Sequence, residues 1–67
     1  SGNSPIQAAF IALLAAIEEE SERLQASIRE HIAQADLPTA QRQQEELKKL
    51  LSFRANLIKV HRKWREE

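Results

Sequence analysis

Large apolar residues recur along the first half of the chain at Ile6, Phe10, Leu13, Leu14, Ile17, Leu24, Ile28 and Ile32. On a helical wheel they fall within an arc of roughly 100°, the width of one core-facing stripe, and predict a helix over about residues 5–35. Ile11 is the large apolar residue off that stripe. Ala8, Ala9, Ala12, Ala15 and Ala16 occupy the remaining faces of the same stretch, where a solvated helix would carry Lys or Glu, and they let another backbone approach closely. Directly after this apolar run come Glu18, Glu19, Glu20 and Glu22.

The second half has a wider apolar arc, of roughly 180°. Leu50, Phe53, Leu57, Val60 and Trp64 form one stripe with alternating three- and four-residue steps, and Leu47, Leu51 and Ile58 form a second beside it. One neighbouring helix cannot cover both. The reading is that one stripe packs inside the molecule and the other meets a second copy or a different protein.

Breakers place the boundaries. Ser4-Pro5 is a helix start, with the serine as N-cap and proline at the first helical position. Pro38 lies within Ala35-Asp36-Leu37-Pro38-Thr39, where Asp36 or Thr39 can cap a second helix. The expected organisation is all-α: helix 1 at about 5–35, a turn at 36–38 and helix 2 at about 38–66, each helix about 45 Å long. So short a turn makes an antiparallel hairpin rather than one long kinked helix. Residues 1–4 are expected to be a disordered N-terminus or a cleavage remnant, and the chain reads as a piece of a larger protein.

With the turn centred near Leu37, Phe10 faces Trp64, Leu14 faces Val60, Ile17 faces Leu57, Ser21 faces Phe53 and Leu24 faces Leu50. These residues form the expected hairpin core. The same register puts Glu20 across from Arg54 as an ion pair that fixes it, at some desolvation cost. Ile11, Leu47, Leu51, Ile58 and His61 are then left for an oligomer or partner interface.

Composition raises the need for a partner. A chain of 67 residues is below the size at which one core supplies a comfortable stability margin. It has no cysteine for a disulfide and only two histidines, so self-association or a partner protein remains as the staple. The formal charge is zero but unevenly placed: residues 1–36 hold six acids and two bases, residues 37–67 four acids and eight bases, giving −4 and +4. Such a split favours the halves lying against each other or against a second copy. The ten-residue apolar run is too short to cross a bilayer, which needs about 20 residues, and no signal peptide is recognisable. A cytoplasmic location is the default expectation, with no membrane contact.

Candidate chemistry is sparse. His31 lies on the apolar stripe with Gln43 expected opposite, which reads as a polar layer fixing register rather than a metal site. Lys59, Arg62 and Lys63 around Val60 and Trp64 are candidate nucleic-acid contacts, since cations beside an aromatic can grip phosphate and stack a base. The competing account, that cations near a helix C-terminus complement its dipole, is preferred. No cofactor, metal site or catalytic constellation is recognisable, so no enzyme activity is expected. The function expected is a helical-hairpin oligomerisation module, a homodimer forming a four-helix bundle. Alternatives are a docking module for another protein's helix and a hairpin dimer that binds RNA or DNA.

Overall fold

A computed structural model describes residues 4–66. Helix α1 spans Pro5–Ala33 and helix α2 spans Leu37–Glu66, packed on each other as a hairpin. Residues 1–3, most of the segment expected to be disordered or a remnant, lie outside the described residues. Ser4 is extended (φ −68°, ψ 161°) and its hydroxyl accepts the Gln7 N–H at 3.1 Å, so the serine caps α1 and Pro5 follows as its first residue. Proline costs nothing there, because that N–H has no intrahelical partner.

The turn is tighter than the sequence suggests, and it decides the rest of the packing. Gln34 ends α1, and Ala35 takes the left-handed conformation with φ 61°. The Asp36 N–H then donates to the His31 carbonyl at 2.8 Å and the Ala35 N–H to the Ile32 carbonyl at 3.0 Å. This pair of bonds is the Schellman closure, which satisfies carbonyls that a helix end otherwise leaves open. Asp36 also starts the next helix: its carboxylate accepts the Thr39 N–H at 3.3 Å, and its carbonyl accepts the Ala40 N–H at 3.1 Å. One residue thus closes α1 and caps α2. Pro38 falls inside the first turn of α2, where its missing N–H is not needed.

The hairpin therefore turns at Ala35, ahead of the expected centre at Leu37, and every facing pair shifts. His61 stacks on Phe10, with ring centroids 3.6 Å apart and planes 5° from parallel, in the place expected for Trp64. Further along, Arg54 approaches Glu18 at 3.8 Å. The inward residues of α1 are Phe10, Leu14, Ile17, Ser21, Leu24, Ile28 and His31; those of α2 are Ala40, Gln43, Leu47, Leu50, Arg54, Leu57 and His61. Both series alternate steps of three and four, so the two helices share one coiled-coil-like seam. Its most enclosed part lies at mid-length around Ile17, Ser21, Leu24 and Ile28, with Ala40 buried nearer the turn. The small Ser21 side chain holds the Gln25 amide at 3.1 Å.

The whole molecule measures 52 × 19 × 10 Å between Cα extremes. Two helices side by side make one layer, whereas a stable domain normally packs at least two. The exposed surface is 5310 Å², against about 4,300 Å² for a compact folded chain of this mass.

Two consequences of the turn are measurable. Ala35→Gly removes the Cβ penalty of the left-handed conformation and should raise stability by about 1 kcal/mol, read from chemical denaturation followed by circular dichroism. Hydrogen bonds from Thr39, the hydroxyl first and then the backbone N–H, hold the Asp36 carboxyl below the usual aspartate range. The stabilisation from this cap is therefore present above the unfolded aspartate pKa and is lost as pH falls through the lower folded value. Asp36→Asn should retain the cap while flattening that acid limb of the thermal-stability profile.

Candidate interaction surface

The shift in register divides both α2 stripes between the seam and the surface. Phe53, Val60 and Trp64, expected in the hairpin core, are 49%, 66% and 44% exposed. Leu47 and His61, expected at an interface, instead line the seam, and Ile58 is half-buried at its border. Of the remaining core candidates, Ile17 and Leu24 are buried, while Phe10, Leu14, Leu50 and Leu57 are half-buried. Ile11 and Leu51 are exposed. The physical reason is the turn: moving its centre forward shifts α2 by about three residues against α1, and three residues rotate a helix by about 300°, onto its neighbouring stripe.

The expected Glu20–Arg54 pair does not form. Glu20 instead holds Arg23 through two bonds of 2.6 and 2.7 Å on its own helix, which lowers the Glu20 pKa. Arg54 turns toward Glu18. Nor does His31 bond Gln43. The His31 Nδ1 contacts the Ser27 carbonyl at 2.8 Å and its hydroxyl at 3.3 Å, a bond internal to α1, while Gln43 Oε1 is shielded from solvent with no donor among the described residues.

Near the open end of the hairpin, the His61 Nε2–H donates to Gln7 Oε1 at 2.7 Å. Besides stacking on Phe10, the His61 ring meets Trp64 at 5.6 Å and 44°. This cluster is the clasp of the open end, and sequence reading missed it because it assigned His61 outward. The clue was available in its spacing: His61 lies seven residues beyond Arg54 and fourteen beyond Leu47, in heptad register with the seam.

What remains uncovered is asymmetric. One broad face presents Ile6, Leu13, Phe53, Val60 and Trp64. Ile6 and the residues Leu57, Val60, His61 and Trp64 border a common concavity there, and helical periodicity places Leu13 beside Ile6 and Phe53 beside Val60. These apolar residues belong to the open half of the hairpin. Toward the turn the same face becomes polar, with Glu20, whose hydrogen bond and charge raise the Arg23 pKa, and Glu46, whose charge adds to that effect. The opposite broad face is mixed: Phe10, Leu14 and Ile58 border a concavity together with Gln7, Arg62 and Arg65. Ile11, Glu18 and Leu51 lie on that side by helical periodicity.

Lys59, Arg62 and Lys63 are all exposed; Arg62 borders the concavity lined by Phe10 and His61, whereas Lys59 and Lys63 lie on the outer side of α2 by helical periodicity. Among the described residues, no group of three or more His, Cys, Asp or Glu side chains is placed to hold a metal ion. No helix among them is long and apolar enough to cross a membrane. In comparisons with protein-family models, curated proteins and solved structures, the chain matches none.

His61→Ala would remove the ring between Phe10 and Trp64 together with the Gln7 bond. The expected loss of stability is about 1–3 kcal/mol. Trp64 is the single tryptophan, so its emission should shift to the red in the folded variant as the open end loosens.

Proposed function

We propose that this chain is a non-enzymatic protein–protein interaction module, a helical hairpin that pairs with a second copy of itself to form a four-helix bundle. The observation that carries the reading is the face of Ile6, Leu13, Phe53, Val60 and Trp64, five large apolar residues exposed together on a hairpin one layer thick. A contiguous apolar surface of this kind on a small domain marks an association site. The excess over a compact chain's surface, about 1,000 Å², is comparable to the roughly 800 Å² that each partner contributes to a standard interface. Trp and Phe at its centre are residue types that dominate binding energy at interfaces.

The interface assigned to the copies differs from the one expected from sequence. Phe53, Val60 and Trp64 take the place of the expected residues: the seam consumes Leu47 and His61, and Ile11, Leu51 and Ile58 fall on the opposite broad face. The N-terminal half of α1 fits the same role. From Pro5 to Ile17 its one polar residue is Gln7, which is engaged with His61 inside the hairpin. A helix apolar around its whole circumference is normally enclosed on several sides, and a second hairpin supplies one of them.

Light scattering over a concentration series tests the reading directly. The expected mass is twice the 7.7 kDa of one chain, and a folded monomer throughout the series would refute it. Val60→Glu, at a position that the hairpin leaves exposed, should abolish the dimer while retaining most of the helical circular dichroism. Unchanged dimerisation in that variant would exclude this face. Should the monomer instead acquire structure only with another protein's amphipathic helix, the same groove would be a docking site for that helix.

A further inference from the structure

Resting on the self-association reading, we infer that the two hairpins pair with their turns at the same end, related by a two-fold axis parallel to the helices, so that each α1 lies on the α2 of the other copy. Two independent asymmetries select this arrangement from the alternatives.

The first runs along the hairpin. On the face that carries Ile6, Leu13, Phe53, Val60 and Trp64, the apolar residues occupy the open half, and Glu20, Arg23 and Glu46 occupy the half nearer the turn. Two such faces stacked head to tail over their full length would set Trp64 and Ile6 of one copy against the charged half of the other. Stacked with turns together, apolar meets apolar over the whole open half. Desolvating charges against an apolar surface is unfavourable, so the longitudinal pattern alone rejects the head-to-tail bundle.

The second asymmetry runs across the hairpin. Helix α1 holds five acids and two bases, a net charge of −3, and α2 holds three acids and eight bases, a net charge of +5. A two-fold axis perpendicular to the helices would place α1 on α1 and α2 on α2, like charge on like. The parallel axis places α1 on the partner's α2. Every helix then has oppositely charged neighbours on both contacting sides, an arrangement favoured by side-chain charge, while the helix dipoles are antiparallel in either alternative. On the shared face Glu20 comes within one turn of the height of Lys49, which lies one turn before Phe53, because the Glu18–Arg54 approach fixes that height. Glu20, the member of the acidic run on this face, thereby acquires a role in choosing the partner helix, in addition to its pairing with Arg23.

The arrangement gathers both α1 N-termini and both α2 C-termini at one end of the bundle and both turns at the other. A module built this way brings two attached polypeptides side by side, whereas the head-to-tail alternative would hold them about 45 Å apart.

The absence of cysteine allows one spin label to be introduced per chain. Gln34→Cys places it at the exposed end of α1 beside the turn, and Gln41→Cys, exposed in the first turns of α2, provides a second site should the first perturb the closure. Pulsed dipolar spectroscopy on the labelled dimer should give an inter-label distance below about 30 Å at both sites, from diagonally opposed helix axes about 14 Å apart plus the label arms. A distance near or above 45 Å, the length of a 30-residue helix, would overturn the shared-end arrangement while leaving dimerisation intact. A population containing both distances would likewise overturn it, since the two asymmetries would not then be selecting one state. Light scattering on the same labelled samples separates the two claims: a monomer would refute the self-association reading itself.

Discussion

The closure at Ala35 and Asp36 is the constraint on which the rest of the structure depends. The Asp36 N–H bonds back to His31 and the Asp36 carboxylate bonds forward to Thr39, so α1 ends and α2 begins with almost no intervening chain. Once that geometry is set, the helical repeat determines which side of α2 meets α1. Phe10 receives His61, Arg54 comes level with Glu18, and Phe53, Val60 and Trp64 are turned outward. An αα-hairpin has few other determinants of register, because helix ridges and grooves recur at each turn and tolerate neighbouring alignments.

The seam chosen by the turn is modest. It contains Ser21, Gln43, Arg54 and two histidines among its inward positions, while several of the largest apolar side chains lie outside it. A sequence selected for the stability of one isolated hairpin would have reversed that allocation. Polar groups in a seam discriminate between alignments more than they add stability, as buried asparagine does in coiled coils. Ile6, Leu13, Phe53, Val60 and Trp64 remain exposed on one broad face, and a second layer over them would add the burial that the seam lacks.

Much of this architecture was legible in the sequence. Ser4-Pro5 and the three-to-four spacing of Phe10, Leu14, Ile17, Leu24 and Ile28 define α1 and its inward stripe, and Asp36 identifies the cap of α2. The two-stripe character of α2 was also evident, together with the inference that one stripe must lie outside the hairpin. The identity of that stripe was not, because Ala35 gives no sign of the left-handed conformation that glycine usually marks at a helix end. With Pro38 drawing the expected turn toward itself, the centre was placed at Leu37, and a displacement of under one helical turn exchanged Trp64 for His61. The Glu20–Arg54 pair failed for the same reason, aided by the proximity of Arg23 on α1. A displacement confined to the turn thus propagates along the full length of a helix, as it does in hairpins that have few other determinants of register.

The Gln7–His61 bond joins residues 54 positions apart, the far extreme of a contact pattern that starts at the turn with neighbours in sequence. Loop-closure entropy grows along that series, so the chain zips from Asp36 outward, and the open end is both the last part to form and the first to fray. That end carries Ile6, Val60 and Trp64. Under the proposed self-association, completion of the fold and pairing with a second copy would draw on the same residues: a copy would bind best to a clasp that is shut, and shutting would be most favourable when a copy is present. Concentration, rather than temperature alone, would then govern how much of the hairpin is ordered at any moment.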